Sequence, residues 1–484
     1  MVNLHKKILR NSALVVLTAL LGACAVGPNY QRPTVSVGNG YKEAKGWKLA
    51  QPGDTGLRAD WWRSYNDSVL NGLMDGLLAS NQNIAQAEAQ YRQAQALVKS
   101  ARAGFFPTVT GGLSSTRSGS RSPDTGSGSS SSKSSQSELS GAVSWEPDIW
   151  GKVRRSVESS RAGLEASAAD VAATRLSMQS TLAQTYFNLR ALDAEKRLYV
   201  QTLAAYQRSL TTTENRYHAG VAAQADVEAA RTQLENARTD ALALEWQRAQ
   251  YEHALAVLTG QAPSSFALAP DQTVGTVPEI PVGLPSQLLE RRPDVAAAER
   301  RTAEANAKIG VAQAAWFPDL TLSASGGFSN SQLALWLAAP ASFWSLGPAL
   351  AMTLFDGGAR QANIEQSRAA YDAQVAAYRS TVLGALQEVE NYLVQLSVMA
   401  REQQTQDRAL ASARESLRLT ENQYQAGIID YLSVAQVETT ALSTERSALA
   451  LRAARLVASV QLIAALGGGW QVPQPADNHQ ASSK

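Results

Sequence analysis

Few side chains in this sequence have the types and spacing that catalysis or metal binding requires. The chain has one cysteine, Cys24, which excludes a disulfide framework and a cysteine-based zinc site. Its four histidines are scattered, at His5, His218, His253 and His479. Two pairs of carboxylates stand out, Glu299 with Glu304 and Glu388 with Glu390. Both pairs lie in arginine-rich helical stretches, where we expect them to be paired or solvated. The sequence therefore predicts no enzyme activity, no cofactor and no metal site.

The single cysteine follows a basic start and a short apolar run at 13–21. That run is too short to span a bilayer and is typical of a removed signal. The Leu-Gly-Ala-Cys sequence at 21–24 resembles a bacterial lipobox, in which the cysteine becomes the lipidated first residue of the mature chain. The resemblance implies a signal peptide at 1–23 and lipid attachment at Cys24, through an N-acyl chain and an S-diacylglycerol. Ala25 rather than aspartate follows, which by the same resemblance favours the outer membrane. Cleavage of an ordinary signal nearby is the alternative.

Charge and composition favour a helical protein with no nucleic-acid partner. Lys and Arg number 44 against 42 Asp and Glu, which leaves a formal net charge of +2. Such a balance gives no strong basic field. Alanine, glutamine, serine and leucine are abundant, as in helix-rich chains.

One phrase occurs twice, as TENRYHAG at 213–220 and as TENQYQAG at 420–427. The match extends in both directions, to a Phe-Pro pair before the phrase and a glycine after it in each copy. Two copies, at 81–260 and 291–467, are too few for a solenoid, which usually needs about three repeats. The sequence therefore predicts an internal tandem duplication within one pseudo-symmetric architecture.

Each copy has the same predicted plan: a helix, two strands, a very long helix and a second helix. A Phe-Pro pair ends the first helix because proline cannot continue it, and the strands are rich in serine, threonine, glycine and aromatics. The predicted helices are 81–104, 152–218 and a stretch to 260, then 292–315, 359–425 and a stretch to 467. The predicted strands are 107–117, 138–149, 318–328 and 344–355. The polar, low-complexity segment 118–137 is predicted to be a flexible loop.

These elements need neighbours. A helix of about 67 residues is about 100 Å long, so such helices must lie side by side as coiled coils. Each strand has roughly the length of a transmembrane β-strand, and a sheet in lipid must close because open edges leave backbone groups unpaired. Two chains would give about eight strands and a filled interior, and three would give about twelve and a lumen. The pattern predicts an oligomer and leaves its order open.

Several segments resemble the outer-membrane efflux factors of the TolC/OprM/NodT type. The most specific is VGLPSQLLERRPDVAAAERRTAEANAKIGVAQAAWFPDLTLSASGGF at 282–328. Shorter matching segments lie at 59–73, 144–155, 216–234 and 423–434. The segment CAVGPNYQRP, which begins at Cys24, is typical of the lipoprotein branch. The similarity covers 24–467 in family order.

The resemblance implies a mostly α protein with a small membrane β part. Three chains would form a homotrimer, in which an α-barrel of long coiled-coil helices joins a 12-stranded transmembrane β-barrel with four strands per chain. An equatorial collar would include Trp61–Ser80, the linker 261–285 and the tail after Gly468. The partners implied are a periplasmic membrane-fusion adaptor, an inner-membrane efflux transporter of the RND or a similar class, and outer-membrane lipid. The implied location is the outer membrane of a Gram-negative cell, with the helices in the periplasm.

The domain organisation predicted from both arguments has six parts. They are a lipoprotein signal peptide (1–23), a lipidated segment with collar residues (24–80), the first efflux repeat (81–260), an equatorial linker (261–290), the second repeat (291–467) and a C-terminal tail (468–484).

The repeated phrase is predicted to be a helical hairpin turn in each copy. Tyr217 and Tyr424 end one helix, and Gly220 and Gly427 supply the left-handed residue after it. By the resemblance, both turns lie at the periplasmic tip, where adaptors dock.

A candidate gate follows the second turn. Asp226 and Asp430 lie at helix starts and could simply complement the helix dipole, or they could form a polar constriction. In the family a lumenal aspartate often follows the second glycine by nine positions, where this chain has Gln436. The candidate gate residues are therefore Asp430 and Gln436, and a strong acidic ring is in doubt.

Three functions are compatible with the sequence. The first is the outer channel of a tripartite system that exports drugs or other small molecules. The second is the outer channel of a type I protein-secretion system on the same scaffold. The third is a lipid-anchored structural coiled-coil protein, against which the strand pairs and Phe-Pro junctions count.

Overall fold

The computed structural model describes residues 25–38, 40–44, 60–122, 130–271, 275–280, 291–331 and 342–469. The helices in these residues are α1 (Ser68–Ser80), α2 (Gln82–Ala103), α3 (Lys152–His218), α4 (Gln224–Leu258), α5 (Pro293–Ala314), α6 (Ala359–Gln425) and α7 (Tyr431–Ala465). The strands are β1 (Thr108–Ser122), β2 (Ser130–Trp145), β3 (Asp319–Asn330) and β4 (Ser342–Ala351). Short 3-10 turns lie at Trp61–Tyr65 and Pro263–Ser265.

The two long helices have the predicted bounds. α3 and α6 each contain 67 residues, because neither stretch contains a proline to interrupt the hydrogen-bond ladder. The order of helix, two strands, long helix and second helix occurs twice along the chain.

The loop predicted at 118–137 is wrong over most of its length. β1 continues to Ser122 and β2 begins at Ser130, in unbroken antiparallel register. Ser118 and Ser134 place their hydroxyl oxygens 2.7 Å apart across the strands, and Ser115 and Ser137 are similarly linked at 3.2 Å. A ladder of backbone hydrogen bonds needs no apolar side chains, so polar, glycine-rich composition did not end the strands.

Two strands end earlier than predicted, at Trp145 and Ala351. The residues after them start the long helices instead. Asp148 accepts from the backbone nitrogens of Val153 and Arg154, at 2.8 and 2.9 Å. Asp356 accepts from Gly358 and Arg360 in the second copy. These carboxylates satisfy amide groups that have no partner inside the helix.

The chain forms two compact units. The first contains 25–33, Tyr91–Ala166 and Ala298–Tyr378, and includes the whole sheet in the order β1-β2-β3-β4. Its amino-terminal segment is held by Arg155, which donates to the carbonyl oxygens of Val26 and Gly27 at 3.1 and 3.0 Å. Gly27 has φ 107°, and a Cβ atom there would lie 2.4 Å from the Cα of Gly310, so both positions require glycine.

The second unit contains Thr34–Gln90, Ser167–Ala297 and 379–469. A buried network fixes the chain after α4. Asp193 accepts from Arg248 at 2.7 Å and from Arg190 at 3.1 Å, and both arginines also donate to linker carbonyl groups, those of Leu268 and Ala269. This network gives residues 261–271, the first part of the predicted linker, a definite place against α3 and α4.

Arg292, from the LLERRPD segment, joins three helices of this unit. Its guanidinium donates to Asp294 at the start of α5, to Glu388 of α6, and to the carbonyl of Ala465 at the end of α7. Glu390 accepts from the backbone nitrogens of Lys42 and Glu43, at 2.7 and 2.9 Å. Glu388 and Glu390, one of the two carboxylate pairs noted in the sequence, are thus both engaged in structural contacts.

Within the described residues one helix, α7, is long and apolar enough to cross a membrane, but half of its most apolar window is buried in the chain. Apolar residues recur every seventh position along α7, at Leu442, Leu449, Leu456 and Ile463. Leu456 and Ile463 are buried, whereas Leu442 and Leu449 are half-buried beside the buried Ala441 and Ala448. α7 therefore packs as a core helix.

Candidate functional site

The sheet has one apolar face. Side chains alternate between faces along a strand, and directly paired residues share a face. One face carries Val109, Leu113, Leu139, Val143, Trp145, Leu320, Leu322, Ala324, Phe328, Trp344, Leu346 and Leu350. Trp344 and Leu346 are 82% and 78% exposed in the single chain. A continuous band of exposed apolar side chains on one sheet face indicates that something apolar covers that band.

The opposite face is polar and small. It carries Thr108, Thr110, Ser114, Ser140, Ser144, Thr321, Ser323, Ser325 and Ser345. Phe343 is the large apolar residue on this side. The alternation of an apolar and a polar face is typical of a transmembrane β-barrel with a water-filled interior.

The apolar side chains cover a limited length of the strands. Leu320 and Phe328 mark its ends on β3, which at 3.3 Å per residue are about 26 Å apart along the strand. Aromatic side chains, among them Phe106, Trp316 and Phe355, are exposed where the strands meet the helices. Aromatic girdles of this kind flank the apolar band of membrane barrels.

Among the described residues, the edge strands β1 and β4 each have one side without a partner strand. The central pairing, β2 with β3, joins the two halves of the sequence, with Val143 opposite Ala324. An open edge is costly in lipid because its backbone groups find no partner there.

The repeated phrase forms the same turn in both copies. Gly220 and Gly427 have φ of 73° and 75°. The amide of Gly220 donates to the carbonyl of Tyr217 and that of Val221 to Arg216, both at 2.9 Å. Gly427 and Ile428 repeat this pattern toward Tyr424 and Gln423, at 2.9 and 3.0 Å. This paired arrangement closes the end of a helix and requires a left-handed residue.

The helices that leave the two turns start differently. Asp430 is the N-cap of α7, and its carboxylate accepts from the backbone nitrogen and the hydroxyl of Ser433, at 3.0 and 2.7 Å. These hydrogen bonds hold the pKa of Asp430 below its usual range. Asp226 lies in the first turn of α4 and accepts from the backbone nitrogen of Ala223. Both aspartates therefore serve their helix starts. Gln436 is exposed.

The two copies of the tyrosine have different environments. Tyr217 is 40% exposed, whereas Tyr424 is 5% exposed. The hydroxyl oxygen of Tyr424 lies 2.9 Å from that of Thr213, and Arg216 donates to the Tyr424 carbonyl at 2.6 Å. The Arg216 guanidinium also lies over the Tyr424 ring, 4.6 Å from its centroid. The second hairpin is thereby bound to the end of α3.

α7 also carries a buried carboxylate. Glu438 of α7 is 4% exposed and accepts from the Gln233 side-chain amide of α4 at 3.0 Å. Burial, reinforced by the charge of Glu421, raises the pKa of Glu438 to about 7. Sequence reasoning missed this residue, since its spacing resembles that of any solvated helix carboxylate.

The remaining chemical candidates have ordinary surroundings. His218 and His253 are exposed on helices. Glu299 accepts from Tyr30 and pairs with Arg300, and Glu304 pairs with Lys308. Cys24, the linker residues 281–290 and the tail after 469 lie outside the described residues.

Comparison with known proteins gives a consistent result. The family model for outer membrane efflux protein matches residues 73–261 and 284–468. The toluene efflux pump outer membrane protein TtgC of Pseudomonas putida is 29% identical over 472 residues, which cover 97% of this chain and 98% of TtgC. Outer membrane protein OprJ of Pseudomonas aeruginosa is 31% identical, over 95% of both chains.

A solved structure of the outer-membrane channel OprN superposes with a TM-score of 0.82 at 29% identity, covering 93% of this chain and 100% of OprN. The matches in sequence and structure extend over the helices, the sheet and both hairpins. The chain belongs to the outer membrane efflux protein family.

Proposed function

We propose that the chain is the outer-membrane channel of a tripartite efflux system. It would pass small molecules such as drugs and toxic compounds from an inner-membrane pump and a periplasmic adaptor to the exterior. The observation that carries the proposal is the four-stranded sheet, with an apolar face, a polar face and two unpaired edges. The name of TtgC, which assigns it to a toluene efflux pump, supports small-molecule export.

The unpaired edges favour a trimer. If β1 of one copy pairs with β4 of the next, no edge remains in the lipid. Two copies would give about eight strands, whose interior is filled by side chains, whereas three would give about twelve and leave a lumen. The small hydroxyl-bearing side chains of the polar face suit a water-filled interior. We therefore favour a homotrimer with a twelve-stranded barrel.

The other parts are assigned by the same proposal. Cys24 carries the lipid anchor. The order of helix, two strands, long helix and second helix, which occurs twice, reflects a tandem duplication. The turns at Tyr217–Gly220 and Tyr424–Gly427 lie at the periplasmic tip, where they meet the adaptor. Asp430 and Gln436 begin the helix nearest the axis and narrow the closed channel.

The proposal is tested by the conductance of the purified protein in a planar bilayer, together with its mass in detergent. Ser325 and Ala324 are neighbours on β3 that face opposite sides of the sheet. Ser325→Lys should still give trimers, and should shift the reversal potential in a salt gradient toward anion preference. Ala324→Lys is the matched control: a lysine near the bilayer midplane costs about 2–4 kcal/mol, so fewer trimers should insert.

A protein that stays monomeric, or that conducts no current, would contradict the proposal. Loss of insertion with Ser325→Lys but not with Ala324→Lys would show that the two faces were assigned in reverse.

A further inference from the structure

A buried polar cluster joins the two hairpins through all four of their helices. The Gln233 side chain of α4 accepts from the Tyr431 hydroxyl at 2.9 Å and donates to Glu438 of α7 at 3.0 Å. Tyr206 of α3 lies in the same buried cluster as Tyr431. Tyr206, Tyr424 and Tyr431 are buried in the apolar cluster that surrounds these groups. The cluster therefore binds α7 of the second hairpin to α4 of the first.

The carboxyl of Glu438 has polar neighbours but no neutralising charge among the groups that act on it. The hydroxyls of Ser209 and Tyr206, both on α3, lie near it, and the neutral side-chain amide of Gln233 on α4 donates to it. On α6, Glu421 acts on the Glu438 carboxyl with a charge of the same sign. Tyr424 of α6 packs against the ring of Tyr431, which lies on α7 together with Glu438. A buried carboxylate without a cation disfavours ionisation.

We infer that Glu438 is a proton-binding site that couples pH to the packing of the two hairpins: protonated, it holds α7 against α4, and ionised, it loosens that contact. The consequence for channel opening rests on the proposed function, because only a channel has a tip to open.

The direction follows from proton linkage. Burial, together with Glu421, raises the pKa of Glu438 from its ordinary 4.5 to about 7 in the packed form. The packed form therefore holds the proton more tightly than a form with Glu438 in water. The stability that this proton gives the packed form is complete below pH 4.5 and is lost as the pH rises through 7. Between pH 6 and 8 the ratio of packed to separated hairpins should fall about tenfold.

Thiol protection measures that ratio even when separation is rare. Val434 is 1% exposed in the same cluster, and Thr439 is exposed one turn away. Val434→Cys and Thr439→Cys would be made separately in the full-length protein, and the rate of each with a thiol reagent would be measured at pH 6 and pH 8. The protection ratio is the reaction rate of the exposed thiol at position 439 divided by that of the buried thiol at position 434. The intrinsic pH dependence of a thiol cancels in this ratio. Protein with neither substitution controls for Cys24.

We expect this protection ratio to fall about tenfold from pH 6 to pH 8 in the parent. With Glu438→Gln, a neutral side chain of the same shape, it should be independent of pH. With Glu421→Gln the pH effect should shrink, because one cause of the raised proton affinity is gone. Glu235→Gln, an exposed change on α4, should leave the parent behaviour intact.

Equal protection at pH 6 and 8 in the parent, or a pH effect that survives Glu438→Gln, would overturn the inference. If Glu438→Gln fails to fold, the Glu421→Gln arm decides alone. Conductance in a planar bilayer is measured separately, at both pH values. A pH-dependent protection ratio in a protein that never conducts would support the proton site and contradict the proposed channel. A protein that conducts but whose protection ratio does not depend on pH would contradict only the proton site.

Discussion

Tyr217 and Tyr424 occupy the same place in a repeated phrase and have different surroundings. Tyr424 is buried beneath Arg216 and hydrogen-bonded to Thr213, whereas Tyr217 remains substantially exposed. Thr213 and Arg216, at the end of α3, contact Tyr424 in the second turn. One hairpin therefore supports the other, and a substitution at Tyr424 should disturb both hairpins, while one at Tyr217 should disturb neither.

At the same scale, Cys24 is predicted to carry acyl chains, on the basis of its Leu-Gly-Ala-Cys context. The intact mass of the mature protein should correspond to a chain that starts at Cys24 and bears added acyl mass. Cys24→Ser should lose that mass and still insert, because a closed barrel is itself a membrane anchor. An unmodified start at another residue would rule out the lipoprotein assignment.

Single residues were the least predictable part of the site. The turn glycines are local signals, because a left-handed residue must follow the helix wherever it ends, and the sequence points to both. The role of Glu438 depends on which residues of α3, α4 and α6 surround it. That is a property of tertiary packing, which spacing along one helix does not reveal.

Among the elements, the helices were the most predictable, because absence of proline and good helix formers act locally. The strand ends were not. Asp148 and Asp356 take the adjoining residues into helix starts, and the serine-rich hairpin persists through backbone pairing, with serine hydroxyls in contact across the strands. In both places a hydrogen-bond partner decided the boundary, and composition did not.

The turn between α6 and α7 gives a prediction at this scale. Gly427→Ala forces a side chain into a left-handed conformation and should destabilise the local hairpin by about 1 kcal/mol. Gly384 is the control: it lies inside α6, and a Cβ atom there would meet nothing within 4 Å. Gly384→Ala should stabilise α6 slightly, by up to about 1 kcal/mol. Hydrogen exchange of α6 and α7 measures both effects. Equal protection in the two variants would show that the φ of 75° at Gly427 carries no strain.

The first strand pair gives a second prediction. α2 precedes β1 and α3 follows β2, so Ser122 at the end of β1 and Ser130 at the start of β2 lie at the opposite end of the strands from both helices. Residues 123–129, the middle of the loop predicted at 118–137, lie outside the described residues. With the helices in the periplasm, an epitope inserted in 123–129 should be labelled on intact cells. The same epitope inserted after Gly220 should be labelled only after the outer membrane is breached. The opposite pattern would invert the orientation.

For the whole molecule, the proposed trimer places the second hairpins around one axis. Three copies of a residue at the start of α7 should then meet in the closed channel. Asp430→Cys or Gln436→Cys should link protomers in mild oxidant, block export and recover with reductant, because a disulfide needs Cα atoms within about 7 Å. Asp226→Cys, in the first hairpin, should do neither. Efficient linking by Asp226→Cys alone would show that the inner and outer hairpins were assigned in reverse.

The two bare edges of the sheet also bear on how such a channel is made safely. In the proposed trimer each chain would supply a third of a barrel, and β1 and β4, which have no outer partner strand among the described residues, would both be unsatisfied in lipid until chains pair. In that proposal, an assembly that leaves β1 or β4 unpaired would have no stable place in the bilayer, whereas a closed ring of three chains would lose every edge at once. The pore and its insertion-competent state would then arise in the same step. Such an assembly would protect the cell from half-built channels that leak across its permeability barrier.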